Sequence, residues 1–169
     1  MQKRITTEEL AEVVRLHALW QQNNKDGSRA NLSRTDLREM DLCWTNLDGA
    51  ILSGANLSGA HLRWANLSGA NLSGTNLDGA DFTGANLDRA ILTDANLREA
   101  DLCWVNLHGA NLRGANLRRA NLDGAILTHA DLSGTNLRGA DFRWAKLDGA
   151  NFTDANLSGA DLIRSVTPR

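Results

Sequence analysis

The chain has 169 residues, of which 42% are hydrophobic, and a formal net charge of −2. This length allows one domain with a sizeable core, and so small a charge excludes strong electrostatic steering towards nucleic acid or an anionic membrane surface. No apolar run approaches the roughly 20 residues of a membrane span. Residues 1–20 contain acidic side chains and lack the apolar centre of a signal peptide. We therefore expect a cytoplasmic protein without a membrane or nucleic-acid partner.

The N-terminal segment predicts a helix. Thr6 and Glu9 have the spacing of a capping box, in which each side chain bonds the backbone of the other residue. The residues that follow at helical spacing are Leu10, Val13, Val14, His17 and Trp20. We expect a helix from about Thr7 to Gln22 that packs across one end of the domain. We interpret His17 and Trp20 as packing residues of this cap rather than as a ligand pair.

A five-residue repeat fills the chain from residue 30 to residue 164. Leu occupies every fifth position from Leu32 to Leu162, except at Phe82, Phe142 and Phe152. A small residue, usually Ala, lies two places before each Leu, and Asn or Asp usually lies between them. The last two places of the pentad are polar or Gly. We divide the chain into a capping helix with its connector (1–29), the repeat (30–164) and a short tail (165–169).

A period of five fits neither regular element. On a helix the leucines would spiral around every face, and on a continuous strand they would alternate between two faces. Within one pentad, however, Ala and Leu are two apart and face the same side of an extended segment. Short extended pieces separated by corners therefore predict a solenoid with Leu and Ala inside.

Departures from the consensus indicate how many pentads form one coil. Trp44, Trp64, Trp104 and Trp144 differ by 20 or 40 residues. Thr35, Thr75 and Thr135 differ by 40 and 60. Four pentads per coil fit these intervals best, so the repeat predicts about seven coils, each stacked ~4.8 Å from the next. Cys43 and Cys103 would then lie three coils apart, too far for a disulfide.

With this pattern the sequence resembles the pentapeptide-repeat family, whose members form a right-handed quadrilateral β-helix. The resemblance covers residues 30–164. It implies an all-β solenoid with an N-terminal α-helical cap. One further set of residues is similar to the capping segment of many bacterial members: Leu10, His17, Trp20, Gly27, Arg29, Ala30 and Leu32.

The C-terminal end shows no sequence signal for a cap comparable to the helix. A stacked coil leaves unpaired backbone at its ends. Either residues 163–169 fold over the last coil, or two molecules meet there and form a homodimer through residues 151–162.

Motifs for catalysis, a phosphate loop or a cofactor are missing from the sequence, which favours a non-enzymatic protein without cofactors. The strongest candidate for a metal-binding site is the pair His108 and His129, which would lie diagonally in adjacent coils. Because no third ligand is placed to complete a site with them, we predict no metal site.

The four tryptophans mark the candidate binding surface. We define the tryptophan face by Trp44, Trp64, Trp104 and Trp144 together with Asp41, Asp81, Asp101 and Asp141. Within residues 31–163 this side of the solenoid has a net charge of −4, and exposed Trp is typical of protein-binding hot spots. In the alternative interpretation, each ring covers a bare glycine of the neighbouring coil, such as Gly84 or Gly124, and only stabilises the fold.

Two functions remain open. The first is a rigid, non-catalytic scaffold for a protein partner of unknown identity. The second follows from the resemblance, since some family members mimic DNA, bind type II topoisomerase (DNA gyrase) and modulate quinolone sensitivity. Those relatives tend to carry a strongly negative surface with projecting loops or a C-terminal dimer. Here the charge is modest and no loop interrupts the repeats.

Overall fold

The computed structural model describes residues 2–165, with strand β1 (Lys3–Arg4), helix α1 (Thr7–Gln21) and strand β2 (Thr35–Asp36) in chain order. Beyond these elements the chain forms single-residue parallel bridges. Each bridge joins a residue to the one 20 positions later, from Asn31↔Ile51 to Asp141↔Asp161. Four pentads therefore make one coil, as the tryptophan spacing predicts.

Each pentad uses its backbone in two ways, as the pentad of Leu52 illustrates. The Leu52 and Gly54 N–H groups both donate to the next coil, to the carbonyls of Asn71 and Ser73 at 2.8 Å. The Ala55 N–H donates to the Leu52 carbonyl at 3.0 Å and closes a four-residue turn. The third residue of this turn, Gly54, has a φ of +65°. A positive φ at this position is the feature for which type II turns select glycine, and it makes the corner of the coil.

The interior consists of stacked columns of Leu and Ala. Leu97 is fully buried, as are the Leu77 and Leu117 side chains of the neighbouring coils. Thr75 and Thr135 take the place of Ala and are also buried. Their hydroxyls donate to the carbonyls three residues earlier at 2.6 and 2.7 Å, so that no buried hydroxyl is left unpaired.

The Asn and Asp side chains before each Leu have a structural role. The Asn66 Oδ1 accepts from the Ser68 N–H at 3.2 Å, which stabilises the turn. Its amide nitrogen donates to Asn46 Oδ1 in the preceding coil at 3.0 Å. Equivalent amide ladders link two sets of stacked residues: Asn46, Asn66, Asn86 and Asn106, and Asn56, Asn76, Asn96 and Asn116.

Helix α1 caps the N-terminal end, and both hydrogen bonds of the Thr6–Glu9 capping box are present. The helix ends at Gln21, and Gln22 is its C-cap. His17 is fully buried, accepts a hydrogen bond from the Ala30 N–H at 3.1 Å and stacks on Trp20 with ring centroids 5.3 Å apart. The predicted packing role of this pair is confirmed. Strand β1 adds a parallel partner to β2 at the same end.

The C-terminal end is open over the described residues. Leu162 is 42% exposed, whereas Phe142 and Leu122, which precede it in the same column, are fully buried. The predicted tail 165–169 lies largely outside the described residues. Within residues 2–165, no helix combines the length and apolar character required to cross a membrane.

Candidate protein-binding face

The four tryptophans occupy strained corners. Each is the third residue of its turn, with φ between 57° and 62°. A left-handed conformation costs a residue with a Cβ about 1–2 kcal/mol. Glycine, which is free of this cost, fills 14 of the 27 corners, and residues with a Cβ fill the other 13. The tryptophans therefore share this strain with nine other corner residues, and what distinguishes them is a large ring that stays at least half exposed.

Two of the rings cover glycines, as the stabilising interpretation predicts. The Trp104 Cε3 atom lies 2.9 Å from the position that a Cβ on Gly124 would occupy. Trp64 overlies Gly84 more closely still. A side chain at either glycine would collide with the ring. Even so, Trp64 stays 51% exposed and Trp104 stays 66% exposed.

The other two rings have partners that the sequence interpretation did not identify. Trp44 stacks on Trp64, with centroids 5.6 Å apart and planes 15° from parallel. The Arg164 guanidinium carbon lies 4.7 Å from the centre of the Trp144 ring, a cation–π contact. A signal was available in the sequence, because Trp64 and Arg164 follow Trp44 and Trp144 by 20 residues.

All these side chains lean in one direction, towards the coil that follows. Non-aromatic corner residues do the same: Arg34, Glu39, Arg89, Asp94 and Arg119 each lie over the glycine 20 residues later. Covering a glycine is therefore a general feature of the corner and does not need an indole. The four tryptophan rings differ from these residues in their large apolar surface, at least half of which stays exposed.

The four aspartates of the face lie in one column beside the rings. Each accepts a hydrogen bond from the backbone N–H two residues later at 3.0–3.1 Å. The hydrogen bond from the Cys43 N–H holds the pKa of Asp41 below its usual value. Burial opposes ionisation of Asp81, but hydrogen bonds from Thr83 and Arg63 leave its pKa lowered. The Arg143 side chain lowers the pKa of Asp141.

Arg63 and Arg143 of this side are occupied within the molecule. Arg63 pairs with Asp81 in the next coil, and Arg143 pairs with Asp141 at 2.6 Å. Asp101 and Asp123 have no ion pair among the described residues. Burial raises the pKa of the Cys103 thiol, and Asp101, Asp123 and Asp141 raise it further. The surroundings of Trp104 are therefore the most negative part of the face.

The histidine pair predicted not to form a metal site makes other contacts. His108 Nδ1 lies 2.7 Å from Thr128 Oγ1, and the His108 and His129 rings meet edge to face at 5.7 Å. His129 overlies Gly149. Over residues 2–165, no three His, Cys, Asp or Glu side chains cluster closely enough to hold a metal ion.

The parallel bridges, the 20-residue period and the helical cap define a quadrilateral β-helix. A family model described as pentapeptide repeats matches residues 28–63, 65–103, 103–139 and 135–165 in eight copies. The chain belongs to the pentapeptide-repeat family, and its solenoid is the right-handed β-helix of that family.

Individual relatives share this architecture. HetL, a pentapeptide repeat protein involved in heterocyst differentiation regulation from the cyanobacterium Nostoc sp. strain PCC 7120, is 33% identical. The match covers 83% of this chain and 84% of HetL, with a TM-score of 0.49. Trypsin-treated QnrB1, a plasmid-mediated fluoroquinolone resistance protein, is 18% identical over 76% of this chain and 77% of its own, with a TM-score of 0.55. At that identity the likeness to QnrB1 shows the fold alone. The search of curated proteins gave no match.

Proposed function

We propose that this protein is a non-catalytic scaffold that binds a protein partner through the tryptophan face. The observation that carries the proposal is the placement of four indoles on strained corners, where each is at least half exposed. Membership of the pentapeptide-repeat family supports a scaffold rather than an enzyme. The cytoplasmic location inferred from the sequence stays a prediction.

The test is site-specific photo-crosslinking in the native host. A benzophenone amino acid replaces Thr83, which lies on the tryptophan face, or Thr93, which occupies the same place in the pentad on the opposite side of the coil. We expect a discrete crosslinked partner from position 83 and none from position 93. Equal crosslinking from both positions would remove the tryptophan face as the binding surface.

A DNA mimic that binds type II topoisomerase is the second candidate. The shared fold with QnrB1 and the column of aspartates on one side support it. The modest net charge of −2 argues against it. A supercoiling assay with purified DNA gyrase, with and without a quinolone, separates the candidates. A change in supercoiling or in drug sensitivity favours the mimic, and no effect at large molar excess rejects it.

We also propose that the open C-terminal coil pairs with a second copy of the chain. The exposure of Leu162 at the end of a column of buried side chains supports this pairing, since an uncapped coil end gains by burial of its apolar edge. Light scattering across a wide concentration range should show a dimer that Leu162→Asp dissociates. A parent protein that is monomeric throughout would contradict the pairing.

A further inference from the structure

The rings of the tryptophan face form a regular series with gaps. Trp64 lies over Gly84 and Trp104 over Gly124, while Trp144 lies beside Arg164. Each ring therefore sits one coil beyond its own backbone, and successive rings are two coils apart. At ~4.8 Å per coil the three rings repeat at about 9.6 Å along the rod.

A gap of this size accepts one planar group. A flat group stacked between two rings needs about 7 Å, from two contacts of ~3.5 Å. The Trp64 ring covers Gly84 and the Trp104 ring covers Gly124, so the gap between the two rings lies at the coil from which the Trp104 side chain starts. The Trp104 ring is 66% exposed and borders this gap, which forms a slot that a side chain from another molecule can enter.

The negative charge around the slots favours a cationic side chain. Asp101 and Asp123 flank Trp104 and have no ion pair among the described residues, while Arg63 and Arg143 are paired to aspartates and Arg164 stacks on Trp144. The chain itself shows the corresponding contact, because Arg164 stacks with Trp144 and Arg29 lies over Trp20. A guanidinium can meet a Trp ring and a carboxylate at once, which suits Arg better than Lys.

The axial spacing of the rings indicates which backbone conformation a bound peptide has. In a polyproline II helix, side chains of one face recur every three residues, which is about 9.3 Å. In a β-strand they recur every two residues, which is about 6.7 Å. Only the first spacing matches the series of rings.

Building on the proposed function, we propose that the tryptophan face binds an arginine-bearing polyproline II segment of its partner, aligned along the rod. Arginines three residues apart enter the two slots, one between the Trp64 and Trp104 rings and one between the Trp104 and Trp144 rings. Asp101 and Asp123 neutralise the arginine that stacks on Trp104.

Calorimetric titration with two synthetic peptides tests the proposal. One consists of Arg-Pro-Pro repeats. The other contains the same numbers of Arg and Pro, but Arg occupies every second position of its first part and the remaining prolines follow. We expect the first to bind roughly 10-fold more tightly, since loss of one desolvated cation–π contact costs on the order of 1–2 kcal/mol. Equal affinities would show binding by net charge alone and would overturn the proposal.

Matched variants locate the site. Trp104→Gly removes a ring of the series, and His129→Gly removes an aromatic corner residue that overlies a glycine on another side. We expect roughly 10-fold weaker binding of the Arg-Pro-Pro peptide by Trp104→Gly and unchanged binding by His129→Gly. The same loss in both variants would overturn the assignment.

Competition separates this inference from the proposed function. The Arg-Pro-Pro peptide should displace the partner that crosslinks to position 83. If that partner depends on the tryptophans but the peptide neither binds nor competes, the inference fails and the proposed function stands. If no partner depends on the tryptophans, the proposed function fails, whatever the peptide does.

Discussion

Backbone conformation at the corner residue governs which side chains the pentad tolerates. Gly124 and Gly134 both have a φ of +66°, so both favour glycine for the same conformational reason. They differ in their surroundings. A Cβ on Gly124 would contact the Trp104 ring, whereas a Cβ on Gly134 would have no neighbour within 4 Å.

This difference gives a matched prediction. We expect Gly134→Ala to cost about 1 kcal/mol of unfolding free energy from backbone strain, and Gly124→Ala to cost a further 1–3 kcal/mol from the forced displacement of the ring. Chemical denaturation measures both values. In a Trp104→Gly background the excess at Gly124 should vanish. A persistent excess would mean that the ring does not pack on this glycine.

A second prediction concerns the buried leucine column. Leu97→Ala should lose about 2–5 kcal/mol through the cavity that it leaves. Leu97→Asp should lose more, because it adds a carboxylate without a partner to a site that is fully buried. Thermal melting compares the two variants with the parent. A Leu97→Asp variant as stable as the parent would contradict the inward orientation of the leucines.

Among the elements, the helical cap and the pentad were both predictable from sequence because each has a local signal. Thr6 and Glu9 define the start of helix α1, and the Ala–Leu spacing defines which residues point inward. The lean of each corner side chain towards the next coil was not predictable. It depends on contacts between residues 20 apart, such as Trp144 with Arg164, whose direction the sequence pattern does not specify.

The cap also contains a titratable group that links its packing to pH. Burial lowers the pKa of His17, Arg29 lowers it further, and Asp48 acts in the opposite direction. Since the unfolded imidazole has a pKa of about 6.5, stability should be constant above that value. As the pH falls below it, the unfolded state binds the proton more readily and stability should decrease.

Thermal melting of the parent and of His17→Gln checks this expectation. The measurements run from about pH 7.5 to about pH 5, a range that brackets the unfolded pKa of His. The variant should be less stable at neutral pH, because it loses the stacking contact with Trp20, and its melting temperature should depend less on pH than that of the parent. A parent that becomes more stable on acidification would contradict the neutral, buried state of His17.

For the molecule as a whole, the solenoid converts a 20-residue period in sequence into straight columns on its sides. The parallel bridges place Asp81 beside Asp101 in one column, and the same register aligns the corner tryptophans. A rod of this kind holds side chains at fixed axial intervals without needing loops or hinges. The proposed function uses this regularity on one side of the rod, the tryptophan face.

The most direct test of this view is a triple variant, Trp64→Gly, Trp104→Gly and Trp144→Gly, in which melting temperature and partner crosslinking from position 83 are measured together. Each substitution loses ring packing but also relieves a left-handed tryptophan, so the two effects on stability oppose each other. We predict a melting temperature close to that of the parent and loss of the crosslinked partner. A markedly lower melting temperature with crosslinking intact would show that the tryptophans serve the fold alone.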